Sequence, residues 1–135
     1  MFTILIVEDN PTFRQSLKEM LCSRFPAVRV EEAGDAPEGF RIVQSRLPEL
    51  IFIDIRLPGE TGLELTRRIK KEHRQIPVIV ITNHDLTEYR EAAFRYGADH
   101  FIPKAELNWD DLTSLVESIL PEAGLSRGGA WTGGQ

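Results

Sequence analysis

Leu50-Ile51-Phe52-Ile53-Asp54-Ile55-Arg56-Leu57-Pro58-Gly59 lies near the middle of the 135-residue chain. Four large apolar residues in a row, without polar alternation, run into a carboxylate and then a Pro-Gly turn. That pattern reads as a strand, Leu50–Asp54, covered on both faces. Such a strand belongs inside a parallel sheet with helices above and below it. Working outward, Thr3–Val7 and Val78–Thr82 repeat the pattern, and His100–Pro103 is a shorter candidate. Val28–Glu32 alternates apolar with polar residues, as an edge strand with one wetter face would.

Helical spacing fills the gaps between these runs. Phe13, Leu17, Met20 and Leu21 share one face, with Pro11 at the first helical position behind an Asn10 cap. Ala36, Phe40, Val43 and Leu47 form a second stripe, opened by Asp35 with Glu38 three residues on, a capping-box spacing. Leu65 and Ile69 anchor a third helix. Ala92, Ala93 and Tyr96 give a fourth with a shallower face. Leu112, Leu115, Val116 and Ile119 make a fifth behind an Asn108 cap. A strand–helix unit repeated five times calls for a parallel sheet with helices on both faces. Ligands then bind in the crevice outside the carboxyl ends of the strands.

Composition agrees with one soluble globular domain: 41% of residues are apolar and 27% are charged. No apolar run approaches the length that spans a bilayer, and the apolar N-terminus stops at two acids, which fits a buried strand rather than a secretory signal. Cys22 stands alone, so no internal disulfide framework is available and a cytoplasmic location is expected. The net charge of −5 argues against direct binding of nucleic acid, which needs clustered cations. The cluster Arg67, Arg68, Lys70, Lys71, His73 and Arg74 reads as the solvated C-terminal end of a helix, with an acidic-partner surface as the alternative. Residues 1–121 are expected to form the folded domain, and the Gly-rich segment 122–135, which contains Trp131, a flexible tail or linker stub.

The informative residues sit at the expected strand ends. Glu8 and Asp9 follow the first strand, Asp54 ends the third, Thr82 ends the fourth, and Lys104 follows the fifth. Taken singly each has an ordinary explanation, as a turn, a helix cap, a strand threonine or a surface lysine. Together they bring three carboxylates, a hydroxyl and an ammonium to the edge that topology marks for binding. Neighbouring carboxylates repel unless a cation or proton joins them. An all-oxygen set suits Mg2+ or Mn2+, and the hydroxyl and ammonium suit the equatorial oxygens of a phosphoryl group. His73 and His100 share no zinc-ligand spacing with each other or with Cys22, and neither a P-loop nor a GxSxG elbow is present.

Ile4-Leu5-Ile6-Val7-Glu8-Asp9-Asn10, Ile53-Asp54-Ile55-Arg56-Leu57-Pro58-Gly59 with Gly62, Val80-Ile81-Thr82, Gly97-Ala98-Asp99 and Phe101-Ile102-Pro103-Lys104 together resemble the response-regulator receiver domain of two-component signalling, over about residues 2–120. The resemblance implies a flavodoxin-like (βα)5 three-layer sandwich with strand order 2-1-3-4-5. It implies Asp54 as phosphoacceptor from the phosphohistidine of a histidine kinase or phosphotransfer protein. It also implies Mg2+ on Asp9, Asp54 and the Arg56 backbone carbonyl, with Glu8 acting largely through water. Thr82 and Lys104 would bind the phosphoryl oxygens. Thr82 and Phe101 would form a switch, the ring turning from exposed to buried and altering the surface of the fourth helix, fifth strand and fifth helix. Tyr96, Phe101 and Trp109 are candidates for that surface, through which a second copy of the chain could also dock. Such a protein is a switch, limited to its own phosphorylation and dephosphorylation, rather than a turnover enzyme. The alternatives are a receiver-like binding module without phosphorylation and an Asp-nucleophile phosphatase. The chain departs from the family at Ala105, where many members have proline, and at Asn83, where a small residue is usual. Arg56 and His84 occupy positions expected to tune phosphoryl lifetime. Gly59 and Gly62 are expected to let the loop after Asp54 turn tightly.

Overall fold

The computed structural model describes residues 2–121; the expected tail, 122–135 with Trp131, lies outside the described residues. In chain order the elements are β1 (Phe2–Val7), α1 (Pro11–Arg24), β2 (Val28–Ala33), α2 (Ala36–Arg46), β3 (Leu50–Ile53) and α3 (Gly62–Glu72). β4 (Val78–Thr82), α4 (Thr87–Arg95), β5 (His100–Pro103), a 3-10 turn (Lys104–Glu106) and α5 (Trp109–Ile119) follow. The strands form one five-stranded parallel sheet in the order β2-β1-β3-β4-β5. This is the flavodoxin-like arrangement that the resemblance implied.

Two apolar layers explain why the central strands lack polar alternation. Leu5, Val7, Ile51, Ile53, Val78 and Val80 face α2, α3 and α4, where Val43, Leu65, Ile69 and Ala93 meet them. Ile4, Ile6, Leu50, Phe52, Ile79 and Ile81 face the other way, onto Leu17 and Leu21 of α1 and Leu112 and Val116 of α5. Successive residues therefore bury on opposite sides, and each large aliphatic side chain so enclosed contributes roughly 1.5–3 kcal/mol. Among the described residues β2 pairs only with β1, and it keeps a partly wet face.

The helix starts follow from their caps. Asn10 Oδ1 accepts the amides of Thr12 and Phe13 at 2.9 and 3.1 Å. Asp35, Thr61 and Asn108 side chains accept from Glu38, Glu64 and Asp111 in the same way. Only half of the expected Asp35–Glu38 box is visible: the Glu38 carboxylate instead accepts from Arg41 Nη2 at 2.8 Å. The α2 stripe also differs from expectation at its end. The helix stops at Arg46, and Leu47 caps it in the left-handed region (φ 49°), 55% exposed, while Gly39 and Ile42 complete the buried face.

Candidate functional site

β3 leaves the ladder one residue earlier than expected. Asp54 donates its amide to the Val7 carbonyl at 3.0 Å, and its side chain projects beyond the sheet edge, 7% exposed. Asp54 Oδ1 accepts the Ile55 amide at 2.7 Å, which orients the carboxylate. The loop behind it closes tightly: the Gly62 amide donates to the Ile55 carbonyl at 2.7 Å. Gly59 supplies the turn, with φ +93°. Gly62 serves a different purpose from the expected turn, because a Cβ there would lie 1.9 Å from the Asp54 carbonyl oxygen. The backbone of α3 packs directly on the backbone of Asp54.

Glu8 and Asp9 stand across from Asp54 at the end of β1. One oxygen from each of the three carboxylates lies within 4.8 Å of the others. Asp9 is exposed, whereas Glu8 is 2% exposed with both oxygens engaged. Lys104 Nζ lies 2.9 Å from Glu8 Oε1 and 3.4 Å from Asp54 Oδ2, and the Asn10 amide donates to Glu8 Oε2 at 3.0 Å. Burial pushes the Glu8 carboxyl above the ordinary carboxylate range; the Lys104 hydrogen bond opposes this, and the charge of Asp54 adds to it. Lys104 is itself enclosed, with its ammonium 4.3 Å from the centre of the Phe13 ring. The donor set is all oxygen and carries three potential negative charges against one ammonium, which fits a hard divalent cation.

Thr82 ends β4 fully buried, and its hydroxyl accepts the His84 amide at 3.1 Å. Phe101 is 6% exposed, opposite Val80 in the β4–β5 register, with the Arg90 guanidinium 4.8 Å from its ring centre. The ring is thus already inward in this structure, under a cation that covers it. Arg56 and Asn83 are exposed, and His84 packs edge-on against Tyr89. Trp109, the first residue of α5, stacks on Phe13 of α1, and Tyr96 caps the C-terminal end of α4. No cis peptide bond occurs among the described residues, Lys104–Ala105 included.

Several residues of the basic cluster on α3 are already paired within the chain. Arg67 and Arg68 pair with Glu64 and Glu60, and Lys70 donates to Asp99 Oδ2 and the Ile76 carbonyl at 2.9 and 2.7 Å. His73 meets Gln44 across α2 and α3 at 2.9 Å. Among the described residues, Glu8, Asp9 and Asp54 are the one group of three or more that could hold a metal ion. No helix among the described residues is long and apolar enough to cross a membrane.

One residue beside the site carries no mark in the sequence. Arg14 Nη1 donates to the Glu8 carbonyl at 2.7 Å, and its Nε lies 3.1 Å from Glu32 on β2. In the sequence it is one charged residue on a polar helix face, and only its position one turn behind Glu8-Asp9 distinguishes it.

Comparison with known proteins agrees with this geometry. Residues 4–117 match the family described as response regulator receiver domain. A transcriptional activator, ExaE of Pseudomonas putida, is 36% identical over 102 residues, covering 76% of this chain and 48% of that protein. The response regulator MprA of Mycolicibacterium vanbaalenii is 29% identical over 133 residues, covering 96% of this chain and 56% of that protein. The chain therefore spans about half the length of these curated relatives. Among solved structures, a CheY-like receiver domain from Methanospirillum hungatei superposes with a TM-score of 0.82 at 30% identity, over 91% of this chain and 96% of that one. The N-terminal domain of an uncharacterized Wolinella succinogenes protein gives 0.81 at 34% identity, over 90% and 96%. The chain belongs to the response regulator receiver domain family and is a signalling domain of the two-component type.

Proposed function

We propose that Asp54 accepts the phosphoryl group, with Glu8, Asp9, Asp54 and the Arg56 carbonyl holding Mg2+, or Mn2+ in its place. The observation that carries this reading is the convergence at one sheet edge of three carboxylates within 4.8 Å and an enclosed lysine touching two of them. The donor is the phosphohistidine of a histidine kinase or phosphotransfer protein. An Asp54 oxygen forms the new P–O bond as the P–N bond breaks, and the imidazole nitrogen leaves with the proton it takes up. The bound cation supplies charge neutralisation for the transferring oxygens. Lys104 moves its ammonium from Glu8 to a phosphoryl oxygen, and Thr82, whose hydroxyl oxygen accepts the His84 amide, donates its own O–H there.

The unit that switches is residues 1–121. Its product is an altered α4–β5–α5 surface, read by a partner or by a second copy of the chain, in the cytoplasm and without direct contact to nucleic acid or membrane. It releases its own phosphoryl group by hydrolysis and does not turn over external phosphoesters. Incubation with phosphoramidate or acetyl phosphate and Mg2+, followed by intact-mass measurement, tests the reading. Wild type should gain an alkali-labile adduct of about 80 Da, as one phosphoryl group adds, and Asp54→Asn should gain none. A protein that stays unmodified, also with phosphohistidine donors, would be a binding module. Steady hydrolysis of generic phosphomonoesters would mark a phosphatase instead.

A further inference from the structure

Arg14 makes two hydrogen bonds that tie together three elements. Its Nη1 reaches back from the first turn of α1 to the carbonyl oxygen of Glu8 at 2.7 Å, while Nε holds Glu32 Oε1 on β2 at 3.1 Å. Glu32 is anchored in turn by Lys18 Nζ at 2.8 Å. The hydrogen bond from Lys18, and after it that from Arg14, hold the Glu32 carboxyl below the ordinary range against the effect of burial. The carboxylate therefore stays charged and fixes the guanidinium.

The β1–α1 turn shows what this brace does. The Glu8 amide donates to Ala33 at 2.9 Å, and the two Glu8 carboxylate oxygens are taken by Lys104 and the Asn10 amide. Of the Glu8 main-chain groups, the carbonyl is the one that depends on a side chain. That carbonyl and the Asp9 amide share one planar peptide unit. Fixing the oxygen fixes the plane, and the plane sets the direction in which Asp9 leaves the backbone.

We infer that Arg14 is a positioning residue for the cation site, holding the Glu8–Asp9 peptide so that both carboxylates face Asp54. The inference rests on the proposal that these carboxylates bind a divalent cation. Arginine suits the task because its planar fork holds the Glu8 carbonyl through Nη1 and the Glu32 carboxylate through Nε in one fixed geometry. A positioning role and a purely electrostatic one predict opposite signs. Removing a nearby positive charge alone would tighten cation binding, whereas releasing the peptide plane weakens it.

Calorimetric titration of the full chain with Mg2+, and separately Mn2+, well below the unfolding midpoint of each variant, makes the test. Arg14→Ala should weaken binding by about tenfold, the lower end for loss of a group that orients a metal ligand. Glu32→Gln, which leaves Arg14 in place but unanchored, should weaken it by a smaller factor, and the double variant by no more than Arg14→Ala alone. At saturating Mg2+ the phosphorylation rate of Arg14→Ala should return to within about twofold of wild type, so the defect lies in cation affinity rather than in the transfer step. Unchanged or tighter binding in folded Arg14→Ala, or additive losses in the double variant, overturns the inference. If Arg14→Ala does not fold, unchanged binding in Glu32→Gln overturns it. Wild type that binds neither cation, or Asp9→Asn that binds as tightly as wild type, has a different signature and removes the cation-site proposal itself.

Discussion

Substituting Gly62 by alanine adds one methyl group at the point where α3 meets the backbone of Asp54. The new Cβ would lie 1.9 Å from the Asp54 carbonyl oxygen and 2.8 Å from both the Asp54 carbonyl carbon and Ile53 Cγ2. Relief needs more than 1 Å of separation, given ordinary carbon contacts of about 3.5 Å. Two of the three obstructing atoms belong to the backbone, so no side-chain rotation supplies it. Moving α3 outward stretches the 2.7 Å Gly62–Ile55 hydrogen bond, and moving Asp54 displaces the carboxylate. Overpacking of this kind costs about 1–3 kcal/mol, and a weakened hydrogen bond adds about 1 kcal/mol. The lower unfolded-chain entropy of alanine returns at most about 1 kcal/mol. A net loss of about 1–4 kcal/mol, centred near 2.5, should lower the thermal midpoint by about 10 °C for a domain of this size. If Asp54 is the phosphoacceptor, as proposed, displacing its carboxylate by about 1 Å should slow phosphorylation by about a hundredfold. Circular dichroism melting and time-resolved intact-mass measurement with phosphoramidate read the two effects. A Gly62→Ala protein melting within about 1 °C of wild type, against the shift expected from the entropy scale, would refute the close-packing argument. Normal phosphorylation despite a lowered midpoint would separate α3 packing from Asp54 placement.

Lys104→Met removes the ammonium from between Glu8 and Asp54 while keeping much of the stem volume. Mg2+ should then bind several-fold more tightly, because a like charge within a few ångströms has been removed, and weaker binding in calorimetry would contradict the placement of Lys104. Glu32 has a carboxyl held below its ordinary value of 4.5, so its contribution to stability is present above that pH and lost as pH falls through the lowered value. Glu32→Gln should accordingly be less stable than wild type at neutral pH, by about 0.5–1 kcal/mol for so exposed a pair. The two urea midpoints should converge in acid; a gap that stays constant with pH would deny the ion pairs this role.

The layered fold was readable because its cause is local. Leu50 to Ile53 are apolar without alternation since Leu50 and Phe52 meet α1 and α5 while Ile51 and Ile53 meet α2, α3 and α4. The gathering of Glu8, Asp9, Asp54 and Lys104 followed from topology, because parallel strands deliver their carboxyl ends to one edge. Contacts set by three-dimensional approach were harder to read. Gly62 looks like a turn glycine, yet its constraint is a backbone packed against it from β3. Arg14 looks like helix surface, and its partners lie in the turn after β1 and on β2. Leu47 fits the α2 stripe by spacing but falls past the point where the helix ends. Phe101 carries no sign in the sequence that Arg90, eleven residues earlier, covers its ring.

The central claim is that Asp54, and no other carboxylate, takes the phosphoryl group. Borohydride attacks an acyl phosphate and converts the modified aspartate to homoserine, marking the position permanently. Wild type treated with phosphoramidate and Mg2+, reduced, digested and sequenced by mass spectrometry should carry homoserine at position 54. The mark should be absent without Mg2+ and absent in Lys104-intact Asp54→Asn protein. Homoserine at Asp9, or at neither residue while an adduct is present in the intact protein, would contradict the account.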